Sequence, residues 1–216
     1  MRRNAAIFVM WVFFQGVFSN VNAEVPTIAI LDFQNNSFFQ AEELGALQPG
    51  LADMMITALS RVSGLKVVER RQLRALLEEM ALGQSGVVDA ATAQKVGKLL
   101  GAEYLLLGSF VRGMKNDLRI DVRMVRTETG ETTKAEEVTG KTEDVLKLVE
   151  KLSKKVLKNL RIKLAGDDKR RLEGSLPDCG STAIMKYFRA LELADQKDYD
   201  RARKVKTYLE NDSVTK

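Results

Sequence analysis

Apolar residues recur along this chain at spacings typical of helices in some stretches and of strands in others. Leucines and methionines three and four positions apart predict amphipathic helices over residues 42–61, 70–80 and 142–161. A further helix is predicted between Asp89, a favourable N-cap residue, and Gly101, a residue typical of helix C-terminal ends. Leu118, Ile120 and Val122 alternate with charged residues, which predicts a strand buried on one face.

Continuous apolar or β-branched runs predict additional strands over residues 27–33, 65–68 and 104–107, with a loop at residues 34–37. A polar strand over residues 131–139 follows a turn at Thr127–Gly130 and suits the edge of a sheet. The order β-α-β-α-α-β-β-β-α predicts a mixed β-sheet flanked by helices, in the α/β (α+β) class. Pro49 lies inside the first helical stretch, where it either marks the true helix start or kinks the helix.

The chain divides into four predicted parts. Residues 24–164 form the α/β domain, and residues 165–180 form a charged linker without periodicity. Residues 181–216 form a helical hairpin in which small residues beside Tyr187 and Tyr199 resemble a single tetratricopeptide-type unit. One such unit cannot bury its own apolar face, so it must pack on the main domain, on a second protomer or on a partner.

Residues 1–23 have the composition of an export signal. Arg2 and Arg3 precede an apolar run from Ala5 to Phe18, and Val21-Asn22-Ala23 fits a cleavage site before Glu24. The run is short for a membrane span of about 20 residues, so cleavage is expected and an uncleaved anchor is the alternative. Loss of both arginines lowers the net charge from +5 to +3, which makes the basic character weak. The expected location is the periplasm, with room for peripheral contact with the outer membrane.

The chain carries little that suggests catalysis. It has no histidine and a single cysteine, Cys179, which excludes the usual nucleophile pairs, internal disulfides and cysteine metal clusters. Glu78-Glu79 is interpreted as solvated helix surface and Asp167-Asp168 as linker, while Asp32 is expected to brace a loop or cap a helix rather than hold a ligand. No catalytic residue, cofactor or metal is therefore predicted, and nucleic-acid motifs are missing.

The central residues resemble the curli production assembly/transport component family, the CsgG-like proteins. The resemblance covers roughly residues 25–164 and implies a CsgG-like domain related to the TolB N-terminal domain fold. The residues that carry it are Val67-Val68-Glu69-Arg70, Leu73, Leu76-Leu77-Glu78, Leu82, Ser85-Gly86, Val88-Asp89, Thr92-Ala93, Lys95, Gly97-Lys98-Leu99-Leu100-Gly101-Ala102 and Tyr104-Leu105-Leu106-Leu107-Gly108.

The resemblance implies a lipid-anchored subunit of an oligomeric secretion channel that sends two long hairpins into the outer membrane. This chain departs from that pattern, because no cysteine lies near the predicted signal cleavage site and only Arg112–Asp117 separates Val111 from Leu118. The main hypothesis is therefore a non-enzymatic periplasmic envelope protein that oligomerises or binds a partner in secretion or surface assembly. The alternatives are an Lpo-like regulator of a peptidoglycan synthase and, third, an enzyme or small-molecule-binding protein.

Three surfaces are candidates for contact with partners. The polar strand Glu131–Thr139 and the hairpin Ala183–Leu209 are expected to serve self-association or binding of an envelope protein. The basic face of the last main-domain helix, Lys147–Lys158, is either a solvated surface or a site of attraction to anionic lipid or polymer.

Overall fold

The computed structural model describes residues 25–38, 41, 44–80, 90–174, 176 and 181–214. The predicted export signal, the turn at Gly83–Gly86, the Asp89 cap and Cys179 lie outside these residues. The strands are β1 Thr27–Ile30, β2 Gln34–Asn35, β3 Lys66–Val67, β4 Tyr104–Arg112, β5 Asp117–Arg126 and β6 Thr132–Lys141. The α-helices are α1 Leu47–Leu59, α2 Arg70–Glu79, α3 Ala90–Leu100, α4 Val145–Asn159, α5 Gly166–Glu173, α6 Ser181–Asp195 and α7 Tyr199–Val214.

The strands form one mixed sheet, and the predicted fold class is confirmed. The order across the sheet is β3-β1-β4-β5-β6, with β2 also paired to β4. Strands β3, β1, β4 and β2 pair in parallel, whereas β4, β5 and β6 run antiparallel through two hairpins. The polar strand β6 lies at the edge of the sheet, as its sequence predicted. Gly130 adopts a φ of 74° in the turn before β6, which is the conformation expected of glycine there.

The two faces of the sheet are covered differently. One face packs against α1 and α4 in a large core that includes Ile28, Leu106 and Ile120. On the other face, the smaller cluster of Ala29, Leu31 and Leu105 packs against side chains of α2 and α3, such as Leu73 and Val96. Helix α1 begins at Leu47, so Pro49 lies in the first turn, where its missing N–H costs no hydrogen bond.

Two predicted irregular segments are regular in the structure. Residues 34–37, expected to be a loop, include β2, which pairs with Ser109 and Phe110 of β4. The segment 165–180, expected to be an unstructured linker, contains α5. Leu172 of α5 is fully buried in the main core, and the Asp168 carboxylate accepts a hydrogen bond of 2.9 Å from the Ser63 hydroxyl. A single buried leucine among charged residues explains why periodicity did not reveal this helix.

The C-terminal helical hairpin packs on the main domain through its first helix. Phe188 of α6 is fully buried in the large core and lies against Gly50 of α1, where any added side chain would overlap its ring. Helix α7 packs against α6 and exposes Tyr199, Arg201 and Arg203. Of the three predicted packing arrangements for this unit, docking on the main domain is the one observed.

Gly101 ends α3 in the left-handed conformation expected of a helix C-terminal glycine. Its φ is 63°, and the space where a Cβ would lie is open. We expect Gly101→Ala to lower the free energy of unfolding by about 1–2 kcal/mol, because only backbone strain is added. Gly101→Asn should cost less, since asparagine tolerates this conformation. Urea unfolding of both variants measures the difference; equal losses would show that another factor dominates.

Candidate functional site

The face of β4, β5 and β6 opposite the large core carries a group of exposed charged residues. Helices α2 and α3 cover the β1 side of this face, while Arg119, Arg123 and Glu137 on β5 and β6 are exposed. These strands form the floor of an open groove of about 540 Å³. The groove is lined by Leu31, Asp32, Gln34, Asn36, Leu107, Gly108, Ser109, Arg119, Asp121, Val122, Arg123, Ala135, Glu136 and Glu137.

Alternation along the strands explains why this groove is charged. On β5 the residues facing the core are Leu118, Ile120 and Val122, so the intervening Arg119, Asp121 and Arg123 point to the other face. The Arg119 guanidinium contacts the Asp121 carboxylate at 2.7 Å and also pairs with Glu137 on β6. The hydrogen bond and charge of Asp121, and then the charge of Glu137, raise the pKa of Arg119.

A cluster of four charged residues adjoins the groove and shares Asp32 with its lining. We call it the Arg70 cluster; it comprises Asp32, Arg70, Arg74 and Asp195. Arg70 and Arg74 lie one turn apart on α2, Asp32 follows β1, and Asp195 ends α6. The Arg70 Nη2 lies 3.2 Å from Asp32 and pairs closely with Asp195, whereas Arg74 Nη1 lies 2.6 Å from Asp195 and 3.8 Å from Asp32.

Burial and ion pairing both shift the pKa values of residues in the Arg70 cluster. The Arg70 side chain is only 10% exposed, and Asp195 is 16% exposed. Burial raises the pKa of Asp32, while the positive charge of Arg70 acts against that shift. The pKa of Arg70 is raised because hydrogen bonds to Asp195 and the charges of both aspartates outweigh its desolvation. The cluster thus pairs two cations with two anions. It links Asp195 of the C-terminal hairpin to α2 and to Asp32 in the loop after β1.

A second polar contact holds the hairpin near Phe188. The Tyr187 hydroxyl donates a hydrogen bond of 2.8 Å to Asp53 of α1. Burial, followed by the charge of Asp53, raises the pKa of Tyr187 well above its ordinary value. The phenol therefore remains a donor across the physiological pH range, and the bond does not act as a pH switch.

Four of the five carboxylates considered as possible ligands take part in ion pairs or hydrogen bonds. Asp32 braces the loop after β1 through Arg70, as the sequence suggested, and Glu78 lies 3.7 Å from Lys197. Asp167 pairs with Arg170, and Asp168 binds the Ser63 hydroxyl. Within the described part of the chain, no group of three histidine, cysteine or carboxylate residues is arranged to hold a metal.

The sequence did not point to Arg70 as a central residue. The Glu69-Arg70-Arg71 stretch indicated only a polar helix opening. An arginine followed by another after one helical turn could have suggested a shared carboxylate partner, but that partner, Asp195, lies 125 positions away.

The basic face of α4 is largely engaged with carboxylates of the same molecule. Lys147 pairs with Asp144 at 2.7 Å, and Lys154 pairs with Glu150 at 2.7 Å and Glu173 at 2.9 Å. Lys155 lies 3.4 Å from Glu136, whose pKa is lowered by a hydrogen bond from Asn159 and by Lys155. These pairs favour the interpretation of this face as a solvated, ion-paired surface over a lipid-binding one.

Among the described helices, none combines the length and the apolar character that crossing a membrane would require. The hairpin between β4 and β5 turns within the short segment between Arg112 and Asp117, where Asn116 takes a φ of 61°.

Residues 12–116 match the family described as "Curli production assembly/transport component CsgG". The chain therefore carries a CsgG-family segment, and the resemblance drawn from its central residues is confirmed. The match begins within the predicted export signal and ends at the β4–β5 turn, so the resemblance that we drew for residues 117–164 stays a prediction.

One similar protein was also found among the curated proteins. A protein of Rhizobium meliloti (strain 1021) described as "Putative adenylate cyclase 3" is 33% identical over 147 residues, which are 68% of this chain and 23% of that protein. The chain thus spans about a quarter of the length of this relative.

Two of the solved structures are examples of distant similarity. Lipoprotein GNA1162 from Neisseria meningitidis is 16% identical with a TM-score of 0.43, and the match covers 64% of this chain and 99% of that one. The LpoB C-terminal domain from Escherichia coli is 18% identical with a TM-score of 0.39, covering 54% of this chain and 82% of that one.

Proposed function

We propose that this protein is a non-enzymatic, exported envelope component that works by self-association or by binding another envelope protein. The proposal places it in the periplasm, in secretion or assembly of a cell-surface structure. The observation that carries it is the charged groove over β4–β6, which is polar, open and adjacent to the sheet edge. Membership of its N-terminal half in the CsgG family supports an envelope role.

The groove suits a protein partner better than a small molecule. Its exposed charges are spread along two strands, and its floor also contains the smaller Ser109 and Ala135. Arg123 is exposed, and among the described residues no carboxylate lies within ion-pairing distance of it. In protein–protein interfaces, exposed charges such as that of Arg123 contribute to the register and specificity of binding more than to affinity.

The proposal does not include catalysis. Three carboxylates of the groove, Asp32, Asp121 and Glu137, are paired with arginines, and this supports a binding role. The activity in the name of the Rhizobium meliloti relative is not assigned to this chain, because the match spans 23% of that protein.

Multi-angle light scattering on the purified chain tests self-association. We expect a mass that is a multiple of the monomer and that falls toward the monomer in Arg123→Glu, because charge reversal places a repulsive group in the groove. Lys151→Glu, which makes the same charge change on the exposed face of α4, is the matched control and should leave the mass unchanged.

A monomer at all concentrations, with Arg123→Glu having no effect, would contradict self-association through the groove. In that case, cross-linking in cells would decide whether the groove binds another envelope protein. Capture of a peptidoglycan synthase in that experiment would favour the Lpo-like alternative, and capture of no envelope protein would contradict the proposal.

A further inference from the structure

The outer edge of β6 is unpaired within the described sheet. β6 is the last strand in the sheet order, and β5 is the strand that pairs with it. The Thr142 N–H, just after β6, donates a hydrogen bond of 3.0 Å to the Asn116 carbonyl. Because hydrogen-bonding direction alternates along an antiparallel strand, even-numbered residues of β6 bond to β5 and odd-numbered residues point their backbone groups outward. The outward groups belong to Ala135, Glu137, Thr139 and Lys141.

One of these outward groups is covered by a lysine side chain. Lys155 of α4 donates a hydrogen bond of 2.7 Å from Nζ to the Glu137 carbonyl, and the same ammonium lies 3.4 Å from the Glu136 carboxylate. A lysine that lies across a strand edge hinders pairing with an arbitrary chain. A carboxylate on an incoming chain would draw the ammonium away from the Glu137 carbonyl and leave that carbonyl to an incoming N–H. The edge therefore favours acidic partners.

Positive charges lie beside this edge on both faces of the sheet. On the α4 face, the pKa of Glu136 is lowered by a hydrogen bond from Asn159 and then by lysine charges. Lys158 is one of those lysines, so its ammonium lies near the edge. On the groove face, the exposed Arg123 of β5 is directly opposite Ala135, whose small methyl group leaves the guanidinium room to extend across β6. A strand added to β6 would therefore have cations on both of its faces.

We propose that the outer edge of β6 binds an extended acidic segment of another polypeptide, which adds a strand to the sheet. Backbone hydrogen bonds to the outward groups hold the segment, and its carboxylates pair with Arg123 and with the lysines of α4. A second copy of this chain fits less well, because two-fold pairing of β6 with itself places both α4 helices on one face and brings their lysines together. The inference rests on the proposed binding of an envelope protein and names the kind of segment that is bound.

Amide hydrogen exchange in the full chain, followed by NMR, tests this with a synthetic peptide as long as β6 in which threonine and glutamate alternate. Threonine favours an extended backbone, and the alternation places all carboxylates on one face. We expect the peptide to slow exchange at the outward amides of Ala135, Glu137 and Thr139. Exchange at Val138, whose N–H already bonds to β5, should stay unchanged. A peptide of alternating threonine and glutamine is the matched control and should bind about tenfold more weakly.

Variants that remove one charge test the flanking cations. Lys158→Gln and Arg123→Gln should each weaken peptide binding about threefold, as expected for the loss of an exposed ion pair. Arg203→Gln, which removes an exposed charge on α7, is the matched control and should leave binding unchanged. Methylation of alternate backbone nitrogens of the peptide gives two further probes, and only the one methylated at the positions that face β6 should lose binding.

Three results would overturn the proposal. They are the absence of peptide binding, equal binding of the glutamine peptide, and binding without new protection at the outward amides. Protection of these amides that grows with protein concentration in the absence of peptide would also overturn it, in favour of a second copy. Capture of an envelope protein by cross-linking in cells does not require this edge, so the proposed function can hold when the peptide fails.

Discussion

Replacing Phe188 with alanine should lower the free energy of unfolding by about 3–5 kcal/mol, the cost usual for a buried phenylalanine. The ring is fully buried in the large core and occupies the space above Gly50 of α1 that a side chain would otherwise fill. Because the Phe188 ring joins the hairpin to the main domain, its removal should destabilise α6 and α7 first. Urea unfolding followed by circular dichroism measures the loss, and limited proteolysis locates it.

The expected signature is early cleavage within residues 181–214 while the sheet remains protected. Tyr199→Ala is the control, because Tyr199 is 60% exposed on α7 and should cost less than about 0.5 kcal/mol. Gly50→Ala provides an independent test, since its methyl group would displace the same ring from the other side. A loss below about 1 kcal/mol for Phe188→Ala would show that α6 docks by other contacts.

Elements with strong local signals were predictable from the sequence. The alternation of Leu118, Ile120 and Val122 appears as the buried face of β5, and the apolar stripe of α4 is the buried side of that helix. The elements that were missed are those defined by contacts far along the chain. Strand β2 has two residues and exists through its pairing with β4, and α5 depends on the burial of Leu172.

The candidate site was less predictable for the same physical reason. Asp32 stood out because it follows a buried strand, but its arginine partner lies 38 positions away. The turn at Thr127–Gly130 predicted β6 beside β5, but the groove also needed the position of β4 between β1 and β5, which brings Asp32 near their charged face.

Replacing Arg70 with methionine should lower the free energy of unfolding at pH 7 by about 3 kcal/mol, at the lower end for a broken buried ion pair. Methionine keeps most of the side-chain volume but leaves Asp32 and Asp195 with Arg74 alone. That remaining arginine and the 38% exposure of Asp32 limit the loss. Arg71→Met, on the exposed side of the same helix turn, is the control and should change stability little.

The pH dependence separates an electrostatic loss from a packing loss. Burial already raises the pKa of Asp32, and removing Arg70 takes away the main opposing charge. A carboxyl group whose folded-state pKa is raised destabilises the protein above that pKa, and the penalty disappears as it is protonated. The difference between Arg70→Met and the unmodified protein should therefore shrink between pH 7 and about pH 4. If the difference in free energy of unfolding stays constant over this range, the Arg70 guanidinium stabilises the fold by packing. The Arg70 cluster would then hold the hairpin through its shape and not through its charges.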